Sequence, residues 1–102
     1  MENKLIKELL LGFIRIHILY HASKEHIFGA EFQNELKEHG YDISYGTLYP
    51  IFHKLEEENL LSSYKENVNG KIRKYYKITV KGADILKVAK IKANELVDEI
   101  ND

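Results

Sequence analysis

The stretch Ser44–Leu61, SYGTLYPIFHKLEEENLL, decides the fold. Leu48, Ile51, Phe52 and Leu55 recur at i, i+3, i+4 and i+7, the spacing of one apolar stripe on a helix that faces a core. Ser44 stands where an N-cap belongs, and Asn59, which tolerates the left-handed conformation, stands where the helix should end. Gly46 and Pro50 are poor helix residues, yet both sit near the start, next to Tyr45 and Tyr49. They make sense if the first turn must approach something closely. Gly46 removes a side chain where bulk would hold the helix off, and Pro50 is near enough to the start that its missing N–H costs little or a modest kink. The face opposite the stripe shows Tyr49, His53 and Lys54.

Upstream, apolar residues at 5, 6, 9, 10, 13, 14, 16, 18, 19 and 20 predict a helix from Asn3 to about His21 that is buried on more than one side. Phe28, Phe32 and Leu36 predict a shorter helix from Phe28 to about His39, with Gly40 as its C-terminal stop. Only YDIS separates it from the helix after Ser44. Downstream, LLSSYKE and KIRKYYKI read as two strands joined through Asn69-Gly70, a hairpin signal because both residues accept positive φ. Tyr75 and Tyr76 are expected to anchor the second strand. Thr79 then caps a last helix to about Ile100, in which Leu86, Ala89, Ala93, Leu96 and Ile100 form a heptad seam suited to another helix. Three helices, a hairpin and a helix, with a very short connection inside the second pair, make a winged helix-turn-helix: mainly α with a small β-hairpin.

The chain has 102 residues, enough for one domain, and its 44% hydrophobic and 30% charged residues are those of an ordinary globular protein. It has no cysteine, which excludes disulfides and thiolate chemistry and is compatible with a reducing, cytoplasmic setting. The longest apolar run, Leu9–Ile14, is far short of the roughly 20 residues that span a bilayer, so no membrane partner is expected. Arg15 interrupts the N-terminal apolar stretch, and no secretory signal is expected.

The net charge of −1 argues at first against a polyanionic partner, but its distribution does not. Between Tyr64 and Gly82 six basic residues (Lys65, Lys71, Arg73, Lys74, Lys77 and Lys81) face one acidic residue, Glu66, a local excess of +5 that leaves −6 on the remainder. Such a patch steers polyanions, although lysines also guard the edges of a solvated hairpin. In a helix-turn-helix the start of the second helix of the pair enters the major groove of DNA. Tyr45, Thr47 and Tyr49 would offer hydroxyls there, with His53 and Lys54 continuing the face, while Lys65, Lys71 and Arg73 on the wing meet the neighbouring backbone. Either tyrosine serves equally well as a cover for the core.

GTLYPIFHKLEEENLL followed by NGKIRKYYKITVKG closely resembles the core pattern of PadR-type transcriptional regulators, a helix motif and a wing motif in order at a matching separation. The resemblance covers most of the chain. It implies a dimeric winged-helix protein that binds operator DNA, usually as a repressor, and dimerises through its first and last helices; a homodimer with two reading helices would in turn call for a roughly palindromic operator in double-stranded DNA. It points to Ser44, Thr47, Tyr49 and Pro50 in the reading helix and to Gly70, Lys71 and Arg73 in the wing. On this basis residues 1–80 form the DNA-binding part and 81–102 the dimerisation helix of a single compact unit. Asn59 stands where the family usually has glycine and Ala30 where an aromatic residue is common. The single last helix resembles the short subgroup, without a large effector domain.

Other readings have their own residues. His17 and His21 sit four apart on the first helix and are the sole metal candidates, needing a carboxylate or a partner-chain histidine to complete a site; the expectation is that neither metal nor cofactor is held. His26, His39 and His53 read as scattered surface residues. An enzyme is not expected, since no nucleophile motif, phosphate loop or His-Glu-x-x-His pattern occurs and Glu56, Glu57 and Glu58 point in different directions around a helix. A winged-helix module that binds proteins instead of DNA, or a sensor responding to a metal or small molecule, is the alternative. Ala89 and Ala93 leave room for a small-molecule effector between subunits.

Overall fold

The fold was established from a computed structural model that describes residues 3–102. Its elements follow in the order α1 (Lys4–Lys24), β1 (Ile27–Phe28), α2 (Gly29–Glu38), α3 (Tyr45–Glu57), β2 (Leu61–Val68), β3 (Lys71–Ile78) and α4 (Val80–Ile100). Helix starts are set by side-chain caps: Asn3 Oδ1 accepts from the Leu5 N–H at 2.8 Å, Ser44 Oγ from Thr47 at 3.2 Å, and Thr79 Oγ1 from Gly82 at 2.9 Å. Helix ends are set by two left-handed residues. Gly40 (φ +89°) follows α2 and Asn59 (φ +62°) follows α3. In each case the next N–H reaches back, Tyr41 to the Leu36 carbonyl at 2.9 Å and Leu60 to the Leu55 carbonyl at 3.0 Å, closing the same terminal motif. Asparagine does here what glycine does in α2.

Three boundaries differ from the sequence reading. Helix α1 runs on past His21 to Lys24, because Ala22 is still buried and alanine carries a weak hydrophobic signal. Phe28 is not part of α2; it lies in β1 and forms the N-cap position of that helix. The hairpin is therefore a three-stranded sheet in the order β1-β3-β2, with Ile27 opposite Tyr76 and Phe28 opposite Tyr75. Two residues are too short a run to declare a strand by periodicity, but the buried Ile27 fixes them against the free edge of β3.

The core joins all the elements that position the wing and α3. Ile18, Leu36, Leu48, Phe52, Leu61 and Tyr76 are wholly buried, each worth about 1.5–3 kcal/mol of burial. The Phe52 and Tyr76 rings stack with centroids 4.5 Å apart, and Phe32 meets Phe52 edge-on at 6.1 Å. Tyr76 thus welds β3 to α3. The end of α3 is fastened to the start of α4 as well: Thr79 donates from its N–H to the Leu60 carbonyl (3.2 Å) and from its hydroxyl to that of Asn59 (2.6 Å), while Lys81 Nζ donates to that of Glu58 (3.1 Å). Gly82 lets this junction close, since a Cβ there would lie 2.1 Å from the Leu60 carbonyl oxygen.

Candidate nucleic-acid interface

The start of α3 is exposed. Gly46, Thr47, Tyr49 and Pro50 face solvent, Tyr45 is half-buried and Leu48 turns inward. The Ser44 hydroxyl caps the Thr47 N–H and in turn donates to Thr47 Oγ1 at 3.1 Å. That leaves the Thr47 hydroxyl proton for an acceptor outside the helix. The carbonyl of Ser44 claims the N–H groups of Thr47 and Leu48, so Tyr45 and Gly46 carry the first-turn donors that the helix cannot use. A Cβ at Gly46 would meet nothing closer than Ser44 Oγ at 3.9 Å, so packing within the chain does not require glycine. Pro50, the sixth residue of the helix, lies beyond the orphan donors of the first turn. Its missing N–H therefore withdraws the helical partner of the Gly46 carbonyl, a cost beyond that of a first-turn position.

Tyr45, Tyr49 and His53 form a ridge along α3 at i, i+4 and i+8, with ring centroids 6.1 and 6.2 Å apart. Tyr45 leans inward over Gly29: its hydroxyl lies 2.9 Å from where a Cβ on Gly29 would be, so a side chain there would push the phenol aside. Burial, and then neighbouring Tyr49, push the Tyr45 phenol above its ordinary pKa of 10.0. Tyr49 is the exposed member. His53 pairs with Glu57 at 3.8 Å, and Lys54 is exposed beside it.

At the wing, Asn69 (φ +54°) and Gly70 (φ +83°) form a two-residue turn between the closing pair Val68 and Lys71, and the Gly70 N–H donates to Asn67 Oδ1 at 2.9 Å. Lys71 stands exposed at the tip, and Lys65 is exposed on β2. Lys65 lies directly opposite Lys74, a like-charge pair relieved where Lys74 Nζ turns to Glu56 at 3.4 Å. Arg73 is half-buried two residues behind the tip, its guanidinium 4.9 Å from the centre of the Phe28 ring. Tyr75 stacks on Tyr64 across the strands at 5.5 Å, and the Tyr64 hydroxyl meets His26 Nδ1 at 2.7 Å. Among the sequence candidates, then, Lys65, Gly70 and Lys71 stand free on the wing, whereas Arg73 is braced against β1.

A second surface runs along α1 and α4. Leu5, Leu9 and Phe13 on α1 and Val88, Ile91, Leu96, Val97 and Ile100 on α4 are exposed, the last by 70%. Every residue from 91 to 100 is exposed. Of the heptad seam, Leu86 and Ala89 are half-buried within the chain, while Ala93, Leu96 and Ile100 are open. Ile85, Val88 and Ile91 form a further apolar row that the seam did not include.

A sequence profile of the transcriptional regulator PadR-like family matches residues 18–88, more than half of the chain. The chain belongs to the PadR-like family. Transcriptional regulator Rv3488 of Mycobacterium tuberculosis is 38% identical to this PadR-like regulator over 95 residues, 93% of this chain and 89% of that protein. A PadR family transcriptional regulator from Eggerthella lenta superposes with a TM-score of 0.83 at 31% identity, covering 95% of this chain and 86% of that one. A PadR-like transcription factor from Bacteroides fragilis does so with a TM-score of 0.83 at 29% identity and 97% of each chain. The winged-helix fold and the family resemblance expected from the two motifs are both correct.

The PadR-like chain also assembles a group that sequence reading left apart. His17 and His21 on α1 are joined by His39 at the end of α2, their ligand atoms all within 4.8 Å of one another. Glu35 Oε1 lies 3.6 Å from His21 Nε2 and 3.7 Å from His39 Nε2. Burial, then the imidazoles of His39 and His21, lower the His17 pKa below 6.5, with Glu35 acting the other way. Only the packing of α1 on α2 brings His39 here; the usable signal was a second i, i+4 pair, Glu35 and His39. No helix among the described residues is long and apolar enough to cross a membrane.

Proposed function

We propose that this PadR-like regulator acts as a homodimeric repressor on a roughly palindromic operator. The observation that carries the reading is the start of α3, which is exposed, capped by Ser44 and bare of side chain at Gly46 although nothing among the described residues needs that space. A helix end with unused N–H groups is suited to a phosphate, and Thr47 and Tyr49 beside it are suited to base edges or backbone oxygens. Lys71, Gly70 and Lys65 on the wing hold the flanking backbone, with Arg73 reaching it from its seat on Phe28. His53 and Lys54 extend the α3 face.

The dimer is supported by the apolar rows of α1 and α4. The last ten residues of α4 touch too little of their own chain to be held by it, and a helical end of that length is marginal in water without a partner. Pairing of α4 places two α3 helices about one turn of DNA apart, roughly 34–36 Å. A groove of about 620 Å³ between α1 and α4, lined by Phe13, Tyr20, Leu86 and Ala93 among others, is of a size to admit a small-molecule effector near that interface.

The test is a binding titration on DNA from upstream of the protein's own gene at several ionic strengths. DNA binding weakens steeply with salt, and Lys71→Ala and Arg73→Ala each reduce the slope by about one. Binding indifferent to salt would leave the protein-interaction alternative, and a slope and affinity unchanged from wild type in both variants would remove the wing from the interface.

A further inference from the structure

We propose that His17, His21, Glu35 and His39 form a four-ligand site for a divalent transition metal, best matched by zinc, that ties α1 to α2. Two i, i+4 pairs from two packed helices converge on it, His17 with His21 and Glu35 with His39. Glu35 Oε1 already stands between two imidazole nitrogens, 3.6 and 3.7 Å away. Tetrahedral zinc with bonds of about 2.0–2.1 Å places its ligand atoms about 3.3–3.4 Å apart. Glu35 Oε1 is already near that spacing from His21 and His39, while the three imidazole nitrogens, which lie within 4.8 Å of one another, draw in by rotation about their side-chain bonds to close the set.

The donor chemistry selects the ion. Three imidazoles and one carboxylate suit zinc and its late first-row neighbours, whereas magnesium and calcium take oxygen ligands. Four protein ligands make a closed site, which holds structure and leaves no open position for catalysis. The surroundings also orient the rings: Tyr41 meets His17 edge-on at 5.5 Å, and Phe32 meets His21 edge-on at 5.4 Å. Without an ion the arrangement is poor, since three imidazoles share one carboxylate and their rings pack against each other, His17 to His39 at 4.6 Å. An ion here would fix the angle at which α2, and α3 after it, leaves α1. That consequence rests on the operator-binding reading; the site itself does not.

The full chain, stripped with chelator and dialysed, is titrated with Co²⁺ followed by visible absorption, and with Zn²⁺ in competition with a chromophoric chelator. One ion per chain, with the intense bands of tetrahedral cobalt, is expected. His21→Gln and Glu35→Gln should each weaken zinc at least tenfold, and His17→Gln combined with His39→Gln should abolish binding, while His26→Gln changes nothing. A weak six-coordinate cobalt spectrum, absence of binding at micromolar metal, or wild-type affinity in the three ligand variants overturns the proposal; the wild-type cobalt spectrum decides even if a variant fails to fold. DNA titrations on the same samples keep the two readings apart: metal without DNA binding leaves this site standing, and DNA binding without metal removes it.

Discussion

Gly46→Ala separates what a glycine does for a fold from what it does for a ligand. Inside the chain the added methyl has open space, its nearest neighbour being Ser44 Oγ at 3.9 Å, and the φ of Gly46 is not positive. Alanine should therefore stabilise α3 by about 0.5–1 kcal/mol through a smaller loss of backbone entropy. At about 4–8 °C per kcal/mol for a domain near this size, the melting temperature should rise by roughly 2–8 °C. On DNA the same methyl holds the first turn away from the backbone. Losing one hydrogen bond from a helix N–H to a charged phosphate costs about 1.5–3 kcal/mol, so affinity should fall tenfold or more. Thermal melts and fluorescence anisotropy at one protein concentration read both quantities. A higher melting temperature with unchanged affinity refutes the claim that the bare position serves DNA. A lower melting temperature refutes the premise that the fold has no use for glycine at this position.

Other substitutions probe the frame. Gly82→Ala should cost about 3 kcal/mol or more in a denaturant melt, because its Cβ would overlap the Leu60 carbonyl oxygen and lie 2.8 Å from Ile78 Cγ1. Tyr76→Phe should leave stability unchanged or raise it by about 1 kcal/mol, since the buried hydroxyl has no hydrogen bond of good geometry among the described residues and Lys74 sits over the ring, 5.3 Å from its centre. Leu96→Glu with Ile100→Glu should give a monomer in sedimentation velocity and lower DNA affinity at least tenfold; an intact dimer would move the interface elsewhere.

Much of this architecture was legible because it is written in local rules. The stripe of Leu48, Phe52 and Leu55, the Ser44 and Thr79 caps, the Asn69-Gly70 turn and the stop at Asn59 each need only neighbours in sequence, and all are found where those rules put them. What was missed depends on tertiary pairing. The strand at Ile27–Phe28 exists because β3 offers it an edge, and Phe28, apolar and at helical spacing from Phe32, was indistinguishable from a helix residue until that pairing was seen. His39 joined His17 for the same reason. Arg73 shows the limit on the functional side: its motif marks the wing, but not that a phenylalanine from another strand lies beneath its guanidinium.

The bonds from Thr79 and Lys81 to the last carbonyls beyond α3 make a rigid elbow rather than a hinge. Helix α4 has 21 residues and is thus about 31 Å long, so it works as a crank: a tilt of about 5° displaces its far end by about 3 Å while the near end turns α3 through the same angle. Any molecule that wedges the far end would then change the pitch at which the probe helix presents itself, without touching it.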